Sequence, residues 1–323
     1  MPNSSLISLA LLATAMFGGV PGTRDVDDSY TIGQRFEQYR HQYPGIAWSA
    51  VTWRQGQSVL FDRPYKNTGA RDLHIDIFKP APGSPPKRQG LVLVHGGGWS
   101  AGNKNHFYAL ANLLAQRGYT IFLPEFRLSP EAPYPAGMRD IGDALAWARA
   151  HAPEFGLQAD RIAIGGASSG GQMASLLAYA GPSGLFGDGK DRRANALVDL
   201  DGVLDFTHPE ALRFENAAGE NSPAARWLGG SYERAPATWR EASPASHVGP
   251  DAVPTLVISS GIARFTQGKD QVLATLDRYH VRHRFFAFEK APHDFWLFEP
   301  WLPRAAAEID GFLGSLANKR HAK

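Results

Sequence analysis

The stretch IAIGGASSGGQMA, residues 162–174, joins a short apolar run to a serine framed by glycines. The apolar run predicts a buried strand, and GGQMASLLAYAG at residues 170–181 predicts a helix directly after it. Gly166, Ser168 and Gly170 then form the pattern G-x-S-x-G at a strand-to-helix turn. Glycines let the backbone turn sharply, which holds the Ser168 hydroxyl above the sheet at the positive end of the helix. We therefore predict that Ser168 is a nucleophile; a Gly/Ser-rich loop without chemistry is the alternative.

Short apolar runs alternate with helical segments along most of the chain. Runs that are apolar on both faces predict strands buried between two layers, and they lie at residues 91–95, 121–126, 161–166, 197–206, 254–261 and 283–289. Segments with helical spacing lie at residues 106–118, 136–156, 170–181, 269–280 and 304–317. The alternation of Leu73, Ile75 and Ile77 predicts an exposed antiparallel strand before this region. The pattern as a whole predicts an α/β fold with a mostly parallel, doubly wound sheet.

Residues 207–250 contain no buried-strand run and form an unusually long connection. Long loops within compact domains are usually functional. We interpret this segment as a small lid or cap over the carboxyl edge of the sheet, where ligands bind in open α/β folds. Residues 65–318 are therefore assigned to one domain with this lid insertion, and residues 21–64 to an N-terminal extension.

The first part of the chain, residues 1–20, contains the apolar run ISLALLATAMFGGV at 7–20. This run is too short to span a bilayer comfortably. It is typical of the apolar part of a signal peptide, with Ala13-Thr14-Ala15 as a candidate cleavage site. We expect a periplasmic or secreted protein. Because no Lys or Arg precedes the run, a loosely packed N-terminal segment of a cytoplasmic protein is the alternative.

The overall composition excludes several classes of function. The chain has 323 residues, of which 43% are hydrophobic and 20% charged, a net charge of +2 and no cysteine. Disulfides, thiolate metal sites and a cysteine nucleophile are therefore excluded, and the scattered Lys and Arg give no nucleic-acid footprint. The metal motif H-E-x-x-H and the glycine-rich nucleotide motifs are absent from the sequence. We expect no cofactor or metal, no nucleic-acid partner and no stable membrane insertion.

A second glycine-rich motif, HGGGW at residues 95–99, follows the first of the buried runs. Acyl transfer develops negative charge on a carbonyl oxygen, and N–H groups must point at that oxygen. Glycines let a chain expose consecutive amides this close to a ligand. We predict that the amides of Gly97 and Gly98, together with that of Ser169, form an oxyanion hole, and that His95 orders the loop. A plain glycine turn is the alternative.

Three segments of the chain read HGGGW, FRLSPEAPYPAGMRDIGDALAWARAHAPEFG and DRIAIGGASSGG. Together they resemble the hormone-sensitive-lipase type of esterase, which has the α/β-hydrolase fold. The resemblance covers about residues 91–175 and implies a serine esterase with a catalytic triad. The chain departs from the family pattern beside the serine, where Ala167 and Ser169 replace the usual Asp and Ala. The first departure is tolerable, because that position faces away from the nucleophile.

The resemblance also implies a histidine after the last core strand and a carboxylate that orients it. His293, in FFAFEKAPHDFW, is the one histidine of eleven at this place, so we predict that it is the general base. In common members of the fold, the acid occupies the position that Arg264 holds here. Asp270, six residues later, is our first choice for the acid, and Asp205, at the end of the run 197–206, is the alternative.

The segments RFTQGKD, PHDFWLFEPW and RDLHIDIFKP are similar to a group of bacterial esterase-like hydrolases associated with plant-polysaccharide breakdown. In that group the residues equivalent to Arg264 and Asp270 both belong to the motif, which favours a relocated acid over a lost one. Arg264 either pairs with Asp270 or Glu289, which we favour, or binds a substrate carboxylate such as that of a uronic acid. We expect Trp99 and Trp296 near the substrate, because flat aromatic faces suit sugar rings and aryl groups.

These observations predict a serine-dependent carboxylic ester hydrolase. The resemblance favours a carbohydrate esterase that removes acetyl, or else feruloyl, groups from plant cell-wall polysaccharide. One alternative is a broad-specificity carboxylesterase for small molecules, which would use the same catalytic residues. The other alternative is a non-catalytic binding protein on the same fold, in which neither Asp270 nor Asp205 reaches His293.

Overall fold

A twisted sheet organises residues 29–187 and 192–317, which the computed structural model describes; the candidate signal segment lies outside them. In chain order the strands are β1 (Ala47–Trp48), β2 (Val59–Asn67), β3 (Asp72–Phe78), β4 (Gly90–Val94), β5 (Thr120–Pro124), β6 (Ile162–Ala167), β7 (Leu197–Leu200), β8 (Thr255–Ser259), β9 (His283–Ala287) and β10 (Phe298–Glu299). One sheet has the order β2-β3-β5-β4-β6-β7-β8-β9, and β1 pairs separately with β10. Pairing is antiparallel from β2 to β5 and parallel from there to β9. The predicted mostly parallel sheet is confirmed.

Helices cover both faces of this sheet. They are α1 (Ile32–Tyr39), α2 (Tyr108–Ala115), α3 (Ala136–Ala150), α4 (Ser169–Ala180), α5 (Pro209–Ala218), α6 (Pro223–Leu228), α7 (Pro236–Glu241), α8 (Lys269–Arg278) and α9 (Trp301–Ala317). In β4, Val92 and Val94 pack with α3 and α4, whereas Leu91 and Leu93 pack with α2 and α9. Because both faces are covered, the central strands are apolar throughout, and this produces the continuous apolar runs of the sequence.

Two strands differ from the surroundings predicted for them. Strand β3 pairs antiparallel as expected, but Ile75 and Ile77 are fully buried because their face of the strand packs in the same hydrophobic cluster as α3. Strand β9 was predicted to be buried, yet Phe285 is 40% exposed. The reason is that β9 is the last strand of the sheet and has a neighbour on one side only.

The long connection 207–250 folds into the three short helices α5, α6 and α7. Trp227 and Trp239 from this connection are buried in the same cluster as the α3 face of the sheet. The sheet itself begins at Val59, inside the segment 21–64 that we interpreted as an extension. None of the helices in the two described ranges is long and apolar enough to cross a membrane. The lid function and the domain boundaries stay predictions.

Candidate active site

Ser168 occupies the turn between β6 and α4, with a φ of 54° and a ψ of −125°. This backbone conformation is strained for a residue that has a Cβ atom. A glycine two residues later makes the turn feasible, since a Cβ on Gly170 would lie 2.1 Å from the carbonyl oxygen of Val94. The turn places Ser168 at the first N–H groups of α4, on the wall of a cavity.

The imidazole of His293 links Ser168 to a buried carboxylate. Its Nε2 atom lies 2.9 Å from Oγ of Ser168, and its Nδ1 atom lies 3.0 Å from Oδ2 of Asp201. Because a carboxylate only accepts hydrogen bonds, Nδ1 carries the proton and Nε2 is free to accept from the hydroxyl. Phe265 stacks on the ring with 3.4 Å between centroids, and Trp296 meets it edge-on at 5.2 Å. A serine, an imidazole and a carboxylate in this order can move a proton off the hydroxyl as it attacks.

Asp201 reaches His293 because of where β7 ends. Strands β6 and β7 are parallel neighbours, and Ser168 and Asp201 each directly follow their strand at the same edge of the sheet. The backbone of Asp201 turns there with a φ of 52°. The amide of Ser260 donates to Oδ1 of Asp201 at 2.9 Å, which leaves Oδ2 for the imidazole.

A second carboxyl group, that of Asp199, supports the Asp201 turn from within β7. Its Oδ1 atom accepts a hydrogen bond from the amide of Gly202 at 2.9 Å, and its Oδ2 atom has no hydrogen-bond partner in the described ranges. Burial, assisted by the negative charge of Asp201, raises the pKa of Asp199 well above its ordinary value, although the Gly202 amide opposes this. The fold therefore favours the protonated form of Asp199.

The prediction that Asp270 orients His293 is wrong. Asp270 lies in the first turn of α8, where its side chain is 93% exposed and pairs with Lys269. The alternative, Asp205, is wrong as well. Its Oδ1 atom accepts hydrogen bonds from the amide and the hydroxyl of Thr207, both at 2.7 Å, so it caps a turn.

One signal in the sequence could have identified Asp201. We interpreted residues 197–206 as a single strand, whereas β7 ends at Leu200. Gly202 marks the end of the strand, because glycine within an apolar run indicates a turn or a close backbone approach. A strand that stops there places Asp201 at the carboxyl edge of the sheet, and Asp205 four residues beyond it.

The predicted oxyanion residues, Gly97, Gly98 and Ser169, lie at the same cavity as Ser168. Gly97 has a φ of 128°, and a Cβ there would lie 2.2 Å from the carbonyl oxygen of Ala101, so this close approach requires glycine. Within residues 29–187 and 192–317, none of the three amides donates a hydrogen bond. They are therefore available to a ligand, and their role stays a prediction. His95 was expected to order this loop, and its Nδ1 atom lies 2.8 Å from the carbonyl oxygen of Gly96.

The cavity beside Ser168 has a volume of about 250 Å³. Side chains from the lid segment and from the N-terminal segment contribute to its wall, among them Tyr30, Arg35, Glu215 and Pro223. The wall of the cavity is therefore built from parts of the chain that lie far apart in sequence.

Of the three residues predicted to bind substrate, two line the cavity and one is buried away from it. Trp99 lines the cavity, with its indole N–H donating to Gln172 and its ring stacked on Trp227, so contact with substrate stays a prediction. Trp296 is only 1% exposed and lies behind His293, so the prediction that it contacts substrate is wrong. Arg264 lines the cavity.

The favoured pairing of Arg264 with Asp270 or Glu289 is also wrong. In the described ranges Arg264 forms no ion pair with either carboxylate, because Lys269 holds Asp270 and the Arg264 guanidinium lies over two phenylalanine rings. This leaves the other interpretation, a contact with substrate, as a proposal.

An N-terminal cluster next to His293 was not predicted at all. Asp294 is fully buried and accepts hydrogen bonds from Tyr30 at 2.5 Å, from Arg35 Nε at 2.7 Å and from Tyr39 at 2.8 Å. Burial alone would raise the pKa of Asp294, but the electrostatic interactions with His293 and Arg35, together with these hydrogen bonds, lower it below the ordinary value. The cluster thus ties α1 and the residues before it to the loop that carries His293.

The sequence matches one family model and several curated esterases. The sequence model of the BD-FAE family matches residues 75–263. LipM of Mycobacterium tuberculosis, a probable carboxylic ester hydrolase, is 32% identical over 202 residues, which are 58% of this chain and 44% of LipM. The chain spans under half the length of LipM and of two other curated relatives, LipC and NlhH of the same organism.

Solved structures resemble the chain over most of its length. A truncated carbohydrate esterase from gut microbiota has a TM-score of 0.67 at 18% identity, covering 80% of this chain and 96% of that one. An esterase of Thermogutta terrifontis has a TM-score of 0.62 at 21% identity, covering 81% and 93%. At these identities the likeness shows the fold alone, and the predicted α/β-hydrolase fold is confirmed.

Proposed function

Because this chain belongs to the BD-FAE family, we propose that it is a serine-dependent carboxylic ester hydrolase. The observation that carries the proposal is the continuous hydrogen-bond chain from Ser168 through His293 to Asp201. The name of LipM, a probable carboxylic ester hydrolase, supports the same reaction class.

The geometry suits a two-step acyl transfer. Oγ of Ser168 attacks the ester carbonyl while Nε2 of His293 takes its proton, and Asp201 stabilises the imidazolium that forms. The amides of Gly97, Gly98 and Ser169 stabilise the oxyanion. His293 then protonates the leaving alcohol as the acyl-serine forms. In the second step His293 takes a proton from a water molecule that attacks the acyl-serine, and it returns this proton to Oγ of Ser168 as the carboxylic acid leaves.

As the natural substrate we propose a carbohydrate ester of plant cell walls, with acetyl preferred to feruloyl as the acyl group. A carbohydrate esterase is among the proteins that share the fold, and the cavity wall includes the aromatic side chains of Tyr30, Trp99 and Phe265. At about 250 Å³ the cavity is small, since ligand clefts usually span about 300–1,000 Å³. A small cavity favours the smaller acyl group.

The non-catalytic alternative, in which the acid is lost, predicted that neither Asp270 nor Asp205 would reach His293. Neither Asp270 nor Asp205 does, but Asp201 lies within hydrogen-bond distance. The premise of a lost acid therefore no longer supports that alternative.

Hydrolysis of 4-nitrophenyl acetate by folded variants tests the reaction class. We expect Ser168→Ala to fall to background and Asp201→Asn to lose about 10⁴-fold in kcat, as when a triad carboxylate is neutralised. The matched controls Asp270→Asn and Asp205→Asn should keep wild-type rates. If a folded wild type shows no Ser168-dependent turnover of this ester or of acetylated and feruloylated polysaccharides, the proposal fails. Comparable rates on many simple esters and none on polysaccharide would indicate a broad-specificity carboxylesterase.

A further inference from the structure

Arg264 presents a positively charged group to the cavity without a negatively charged partner. It lines the same cavity as Ser168 and His293. In the described ranges its guanidinium forms no hydrogen bond and no ion pair. The neighbouring basic residues differ, since Lys269 pairs with Asp270, Arg213 with Glu210 and Arg35 with Asp294. Of the two cations in the described ranges that line the cavity, Arg35 is paired and Arg264 is not.

The Arg264 guanidinium lies over two aromatic rings. Its Cζ atom lies 4.7 Å from the ring centroid of Phe214 in α5 and 5.4 Å from that of Phe265. Contact with ring faces leaves the N–H groups at the edge of the planar guanidinium free to donate. Phe265 in turn stacks on His293, so the ring that lies under the Arg264 charge also contacts the proposed general base. A guanidinium with free N–H groups matches the two oxygens of a carboxylate.

Glu215 adds a complementary feature to the same cavity. Its Oε2 atom is buried and has no hydrogen-bond partner in the described ranges. A buried carboxylate oxygen without a donor is unfavourable, and a ligand hydroxyl would satisfy it. Glu215 and Arg264 are not paired with each other in these ranges, so they can bind separate groups of one ligand.

We propose that Arg264 binds a substrate carboxylate while Glu215 accepts a hydrogen bond from a substrate hydroxyl, so that the preferred substrates are esters carried by a uronic acid. Such a sugar offers both groups on one ring. This inference rests on the proposed function, because it concerns the substrate of the Ser168 site. It narrows the plant cell-wall ester to an acidic polysaccharide.

A matched pair of substrates tests the proposal. Acetate release is measured from mono-acetylated methyl galactopyranoside and from the equally acetylated methyl galacturonide, which differ in the carboxylate. We expect the wild type to favour the acidic ester, with a ratio of kcat/KM well above one. In Arg264→Gln this ratio should fall by about 10- to 100-fold, the usual effect of losing a hydrogen-bonded charge pair. Arg264→Lys, which keeps the charge but not the planar fork, should give an intermediate ratio.

Arg213→Gln is the matched control. Arg213 also lies over the Phe214 ring, at 5.1 Å, but it pairs with Glu210 and does not line the cavity. The variant Arg213→Gln removes the same charge from the same surface. Its ratio of kcat/KM for the acidic ester to kcat/KM for the neutral ester should therefore equal that of the wild type. If the ratio for the wild type is near one, or if Arg213→Gln lowers it as much as Arg264→Gln, the proposal is overturned.

Separate measurements test the esterase reaction and the preference for acidic sugars. Turnover of 4-nitrophenyl acetate by the wild type reports the reaction without any carboxylate. Calorimetric titration of Ser168→Ala with unesterified methyl galacturonide reports the binding without any reaction, and we expect it to bind more tightly than methyl galactopyranoside. Equal binding of the two sugars would overturn the inference while leaving the esterase proposal intact. This titration also needs no Arg264 variant, so it decides the matter even if Arg264→Gln does not fold.

Discussion

Nε of Arg35 lies 2.7 Å from Oδ2 of Asp294, and this ion pair ties helix α1 to the residue directly after His293. The two residues are separated by 259 positions in the sequence. The segment that supplies Arg35 precedes the region matched by the BD-FAE family model, yet it contributes Tyr30 and Arg35 to the cavity wall. The loop that carries His293 also lies outside residues 75–263, so both partners of this ion pair come from outside the matched region.

Removing the acceptor of this cluster should destabilise the protein strongly. In Asp294→Ala the mostly buried Arg35 loses its counter-ion, and breaking a buried pair in this way costs about 3–5 kcal/mol. Urea unfolding measures the loss. Asp270→Ala, which removes a carboxylate that is 93% exposed, should change the free energy of unfolding by about 0.5 kcal/mol or less. Equal stability of the two variants would show that the cluster adds nothing to the fold.

Changing Gly97 should impair the oxyanion hole. Alanine at this position would place a Cβ atom 2.2 Å from the Ala101 carbonyl oxygen, so the loop must shift and carry the Gly97 amide away from the oxyanion. Loss of one such donor lowers kcat by about 10²–10³-fold. Gly69→Ala is the control, because Gly69 also has a positive φ, of 84°, but nothing lies within 4 Å of the new Cβ. Full activity of a folded Gly97→Ala would exclude its amide from the oxyanion hole.

Trp296 should act on His293 rather than on substrate. The indole is buried and meets the imidazole edge-on, so Trp296→Ala should cost about 3–5 kcal/mol of stability. Without this support the His293 ring loses its alignment, and kcat should fall while KM changes little. Trp296→Phe keeps an aromatic ring, so its losses of stability and of kcat should both be smaller. A raised KM with unchanged kcat would instead indicate that Trp296 binds substrate.

Residues with a local signal could be predicted from the sequence, and those that depend on distant packing could not. Ser168 and Gly97 sit in motifs where neighbouring glycines reveal the backbone geometry, and the order of apolar runs revealed the parallel sheet. Asp201 was missed because apolar residues continue past the end of β7, which hid the edge of the sheet. Arg35 gave no local signal, because the sequence around it does not reveal its contact with Asp294, which lies 259 positions away.

Asp199 should make the protein less stable as the pH rises. Its pKa is raised in the folded state, so its contribution to stability is fully present below the unfolded pKa of about 4 and is lost as the pH increases through the folded pKa. In that window each pH unit costs up to about 1.4 kcal/mol for a single group. Asp199→Asn keeps an oxygen for the Gly202 amide but cannot ionise. We therefore expect this variant to match the wild type near pH 4 and to become progressively more stable than it toward pH 8, as measured by urea unfolding across the series. A constant difference between the two proteins at every pH would mean that Asp199 does not take up a proton on folding.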